Sequence, residues 1–113
     1  MKIRTIAALP TLALLAFGGA AHAQTMMTGT ISMIRTGWNA DSFAIVTVEG
    51  MANPAHCSRA DGYISIKAFP GYDTYLAAAL TAYSVRRRVV LTVHDTECYG
   101  GWPKLIGVNL TQD

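Results

Sequence analysis

The chain has 113 residues, 51% of them hydrophobic and only 14% charged, enough for one small domain around a single core and too few for a multidomain assembly. Its formal charge of +2 is too small for a protein held to nucleic acid by neutralising phosphates. No cofactor is implied by anything in the composition.

Residues 1–23 have the make-up of an export signal. Lys2 and Arg4 form a positive start, residues 6–17 are apolar apart from Pro10 and Thr11, and Ala21-His22-Ala23 is a small-x-small cleavage site. The apolar run is shorter than the roughly 20 residues that span a bilayer, and Gly18-Gly19 breaks it, so cleavage before Gln24 is expected rather than a retained anchor. Residue 24 is not cysteine, so lipid attachment there is not expected either. The expected product is residues 24–113, a single domain in the periplasm or outside the cell, with no stable membrane insertion.

Loss of the signal removes Lys2 and Arg4 and with them the whole net charge. The seven cations that remain, Arg35, Arg59, Lys67, Arg86, Arg87, Arg88 and Lys104, face seven anions, Asp41, Glu49, Asp61, Asp73, Asp95, Glu97 and Asp113. No nucleic-acid partner is therefore expected. The one basic run, Arg86-Arg87-Arg88, falls at the end of a predicted helix, where cations complement the helix dipole.

From Gly29 the chain alternates, with Ile31 and Met33 on one side and Thr30 and Ser32 on the other, the period of a half-buried strand. Gly37-Trp38-Asn39-Ala40-Asp41 supplies turn chemistry. Residues 42–48, rich in β-branched side chains and apolar on both faces, predict a central strand. Residues 50–61 are a loop by virtue of Asn53-Pro54 and the closing Asp61-Gly62, and they carry Cys57. A short third strand is expected over 63–67.

The period changes after Pro70-Gly71. Tyr72, Leu76, Ala79, Leu80 and Tyr83 fall on one stripe of a helix, with Asp73 as candidate cap and small alanines that allow close approach to a sheet. Strand periodicity returns over 88–94, with Val89, Leu91 and Val93 facing one way, and over 104–110, with Ile106, Val108 and Leu110. The order β-β-β-α-β-β predicts a mainly β protein with one helix, folded as a five-stranded Greek-key barrel of the OB type. Closing the barrel removes the edges that five short strands would otherwise expose. A helix packed across one face of an open sheet is the alternative.

Cys57 and Cys98 are the only cysteines, and an oxidising compartment makes their pairing the default. His56 beside Cys57, and His94 four residues before Cys98, raise a metal site as the competing reading. Adjacent His and Cys seldom converge on one ion, so a disulfide and no metal is expected.

An exported chain of this length, with five strands, one helix before the fourth and a cysteine on either side, resembles the binding subunits of bacterial AB-type toxins of the subtilase-cytotoxin and pertussis-like group. The resemblance rests on architecture and on the spacing Cys57, Tyr72-Asp73-Thr74-Tyr75-Leu76, Val89-Val90-Leu91-Thr92-Val93, Cys98. It implies a pentameric ring that binds cell-surface glycans, and it transfers no sugar-contacting residue. The chain is also similar to small exported Gram-negative proteins with Asn53-Pro54-Ala55-His56-Cys57 and Trp102-Pro103-Lys104, a group without an established activity.

No nucleophile elbow, zinc-protease helix or phosphate loop is present, and the bases available to serine nucleophiles in the mature part are His56 and His94. His56, Ser58 and Asp61 share one loop but read as a solvated turn, so no enzyme is expected. OB barrels bind ligands over strands two and three, between the loop joining strands one and two and that joining four and five. Both loops carry a tryptophan here, Trp38 beside Asn39 and Asp41, and Trp102 with Tyr99 and Glu97. Trp38, Asn39, Asp41, Tyr99 and Trp102 are accordingly the candidate binding residues for a glycan or protein partner, against the alternative that each indole caps the barrel core. The competing function is a small exported inhibitor or monomeric interaction protein that uses Arg59, Tyr63 and Lys67 at a strand edge.

Overall fold

A computed structural model describes residues 24–37 and 41–112. The signal-like segment, Trp38, Asn39, Ala40 and Asp113 lie outside the described residues. The elements are β1 (Gln24–Thr36), β2 (Ser42–Thr47), β3 (Tyr63–Ile66), α1 (Tyr72–Val85), β4 (Arg88–Tyr99) and β5 (Trp102–Leu110).

Strand pairing runs β1-β2-β3-β5-β4 and closes on itself. The long β1 serves two partners: Gln24 to Thr30 pair with β4 and Ile31 to Thr36 pair with β2. All pairings are antiparallel except β3 with β5, a single parallel bridge between Ile64 and Lys104. The helix lies between β3 and β4 in the chain and packs on β1, β5 and β4.

The interior is built from Ile31, Phe43, Ile45, Tyr63, Val89, Leu91, Val93 and Leu105, with Ala79 and Ala82 bringing the helix backbone close. Val89, Leu91 and Val93 alternate inward as the sequence predicts. Strands β1 and β5 depart from the predicted alternation at irregularities in their register. An irregularity between Ile31 and Met33 turns Met33 outward, 46% exposed, and Ile34 inward instead. On β5 the register slips beside Ile106, so Leu105 and Val108 face the core; Leu110, the last residue of the strand, is 51% exposed. A bulge inserts one residue and so exchanges the two faces of a strand.

The helix also differs from its predicted stripe. Tyr72, Tyr75, Leu76, Ala79 and Ala82 face the core, while Leu80 and Tyr83 are exposed. Gly71, not Asp73, is the N-cap, with φ 86° and no side-chain cap bond; Asp73 lies in the first turn. The Tyr75 ring occupies the space a Cβ on Gly71 would need, at 2.4 Å. Arg86 closes the helix in the left-handed region with φ 57°, its backbone N–H donating to the carbonyls of Ala82 and Tyr83.

Cys57 and Cys98 are joined, their Cα atoms 5.8 Å apart. Asn53 shapes the loop for this: its Oδ1 accepts from the Cys57 N–H at 2.8 Å and its Nδ2 donates to the Cys57 carbonyl at 2.9 Å. The Arg59 N–H donates to the Gly101 carbonyl at 2.8 Å, so a hydrogen bond reinforces the covalent tie. The 50–62 loop is thereby strapped to the β4–β5 hairpin, whose two-residue turn Gly100-Gly101 has φ 59° and 87°.

Candidate functional site

The outer face of β2 and β3 is not left to water. Ala44, Ile64 and Trp102 form a second small cluster there, with Ile66 packed against it. Trp102 is 5% exposed. It opens β5 directly after the Gly100-Gly101 turn, and its ring reaches back over the strands that precede it.

Polar groups finish the burial. The indole Nε1 of Trp102 donates to Oδ1 of Asp61 at 2.5 Å, and the Arg59 guanidinium lies 4.4 Å above the ring. Asp61 accepts from Arg59 at 3.2 Å through Oδ2, and Arg35 at the end of β1 approaches the same oxygen at 3.8 Å. The indole bond, and after it the Arg59 bond and charge, hold the Asp61 carboxyl below its ordinary pKa. A shallow cleft of only about 10 Å³ is lined by Arg35, Gly37, Ser42, Ala44, Ile64 and Trp102, among others.

A second group flanks the first. Tyr99 is 43% exposed and meets the Phe69 ring edge-on at 5.4 Å, while Lys104 Nζ lies 4.4 Å over Phe69. Lys104 donates to Glu97 at 2.9 Å, which is the first cause of the lowered Glu97 pKa; the charges of His94 and Lys104 add to it. His94 Nε2 is 3.6 Å from the other oxygen of Glu97.

Of the candidate binding residues, Trp38 and Asn39 lie outside the described residues. Asp41 is exposed and its carbonyl accepts from the Lys67 N–H at 2.8 Å. Trp102 and Tyr99 sit on one side of the barrel, in adjoining clusters. The burial of Trp102 and the cover of Arg59 leave little of the indole face to a ligand; of the three charged groups around the indole, Arg35 lines the cleft, while Asp61 and Arg59 are engaged with the indole and with each other. The sequence offers Arg59 only as a strand-edge contact, and Arg35 and Asp61 not at all as binding residues. Their signal was faint: Arg59 and Asp61 precede a turn, and nothing local connects them to a tryptophan 41 positions from Asp61.

Tyr63 is not an edge residue. It is fully buried, its hydroxyl donates to Met27 Sδ at 2.5 Å and accepts from the Ala52 N–H at 2.6 Å, and burial raises its pKa. His56 is exposed with φ 54°, in the same loop as Asp61, whose carboxylate is engaged by Trp102 and Arg59. Among the described residues no group of three or more His, Cys, Asp or Glu is placed to hold a metal ion, and no helix is long and apolar enough to cross a membrane. No family model, curated protein or solved structure matches the chain.

Proposed function

We propose that the chain is an exported, non-enzymatic binding domain with a barrel of the OB type, which recognises a glycan or protein partner on the outer face of β2 and β3. The strand order β1-β2-β3-β5-β4, the parallel β3–β5 bridge and a helix between β3 and β4 support the OB reading. The signal-like residues 1–23 and the Cys57–Cys98 bond support export, since such bonds persist in oxidising compartments.

One observation carries the binding reading. Gly37 and Ser42, at the base of the loop joining β1 and β2, line the same cleft as Trp102, at the base of the loop joining β4 and β5. OB barrels take their ligands between those two loops. Binding of the oxidised protein to a glycan array and to immobilised cell-surface proteins, compared with an Arg35→Glu variant, tests it.

The cover of Trp102 by Arg59 favours the second reading, a monomeric interaction protein or inhibitor that does not bind glycans, because sugar rings stack on open aromatic faces. Sedimentation of residues 24–113 bears on the toxin-subunit resemblance. A discrete pentamer supports it and directs attention to glycans, whereas a monomer favours the interaction protein.

A further inference from the structure

Strand β4 is interrupted between its two paired parts. Val93 pairs with Leu105 and Cys98 with Pro103, and the register shifts between them. Residues 94–97 therefore bulge, and the side chain of His94 fills the place of the missing ladder. Its Nδ1 accepts from the backbone N–H of Thr96 at 3.1 Å and from that of Glu97 at 3.1 Å, with the Thr96 hydroxyl at 3.3 Å. A nitrogen that accepts from two backbone donors carries no proton, which assigns the ring proton to Nε2, on the side of Glu97 Oε2 at 3.6 Å.

The backbone N–H groups of Thr96 and Glu97 require an unprotonated Nδ1, and the Glu97 carboxylate lies beside Nε2. Other charges nearby are Lys104 on β5, bound to Glu97 at 2.9 Å, and Asp95 on β4, whose carboxylate accepts from the Thr25 hydroxyl of β1. The β1 residue opposite His94 is Gln24, which carries no side-chain charge; in a chain cleaved after Ala23 its new α-amino group joins the set.

We propose that His94 is a pH-sensitive latch on the β4 bulge: unprotonated, it holds the bulge by accepting from the N–H groups of Thr96 and Glu97, and protonation at Nδ1 releases them. Protonation sets a third N–H against donors that have no other acceptor on the ring. The bulge then opens toward water, and the part of the hairpin that carries Cys98, Tyr99 and Trp102 is tethered less firmly to the barrel. The disulfide keeps the hairpin attached throughout, so the release is local.

The test is amide hydrogen exchange of Thr96 and Glu97 in the oxidised protein, corrected for intrinsic exchange, at about pH 8 and about pH 5, which brackets the range over which imidazoles change charge. Protection at both amides falls roughly tenfold in the acid sample, as expected for the loss of hydrogen bonds of ordinary strength, while Leu91 is unchanged. In His94→Asn the side-chain oxygen accepts from the same N–H groups without titrating, and protection is the same at both pH values. In parallel, the ring-nitrogen NMR signals of the unaltered protein move over the same pH interval as the loss of protection. Protection that does not change, an equal loss in His94→Asn, or a loss at a pH where the ring signals stand still overturns the proposal.

Discussion

The indole nitrogen of Trp102 and the carboxylate of Asp61 are hydrogen bonded at 2.5 Å across 41 residues of chain, and this bond joins the start of β5 to the loop that leads into β3. Trp102→Phe keeps most of the ring and loses the donor, and is expected to cost about 1 to 2 kcal/mol. Trp102→Ala also empties the cluster of Ala44 and Ile64, with an expected cost of about 3 to 5 kcal/mol. Urea unfolding of both variants checks the order and the size of the effects.

The same bond makes stability depend on acid. Asp61 has a folded pKa below its ordinary 3.8, first through Trp102 and then through Arg59. A depressed pKa means that the unfolded chain binds the proton more readily, so the contribution is fully present above 3.8 and is lost as pH falls through the folded value. The side chain is 46% exposed, so solvent moderates the effect. Urea midpoints taken from about pH 5 down to about pH 2 are expected to fall further for the unaltered protein than for Asp61→Asn.

Reduction of Cys57–Cys98 opens a constraint on a loop of 41 residues, and the chain-entropy account puts its contribution at about 4 kcal/mol. The paired substitution Cys57→Ser with Cys98→Ser is therefore expected to lose most of the stability of so small a domain. Denaturant unfolding with and without reductant measures this. The double variant is expected to show no further response to the reductant.

Ser65 sits at 0% exposure on an inward position of β3, and its hydroxyl has no hydrogen-bond partner. Burying a hydroxyl without a partner costs free energy that an alanine does not incur. Ser65→Ala is expected to leave stability unchanged or to raise it by about 1 kcal/mol, read as a higher urea midpoint at the same slope.

Much of this fold was legible because its signals are local. Val89, Leu91 and Val93 alternate without interruption, Phe43 and Ile45 lie in a β-branched run, and the change of period after Gly71 marks the helix. What the pattern did not carry is where alternation breaks. The bulges beside Met33 and Ile106 change which residues face inward, so that Ile34 replaces Met33 and Leu105 replaces Ile106, while Leu110 shares the face of Val108 and is exposed as the last residue of its strand; no residue type announces either bulge. Leu80 and Tyr83 were misplaced because the alanines let several stripes fit the same helix, and packing rather than periodicity chose the one through Ala79 and Ala82. The site was less legible still: Trp102 could be picked out as a large aromatic in a loop-derived position, but its burial depends on Asp61 and Arg59, which only the disulfide and the Arg59–Gly101 bond bring to it.

The most direct test of the binding reading is a comparison of three oxidised proteins on a glycan array and on immobilised cell-surface proteins: the unaltered chain, Arg35→Glu at the cleft, and Leu110→Glu at the opposite end of β5. The account predicts a defined set of bound glycans or proteins, lost in Arg35→Glu and kept in Leu110→Glu, with both variants folded. Binding that survives Arg35→Glu, binding lost in Leu110→Glu alone, or no binding by any of the three contradicts it.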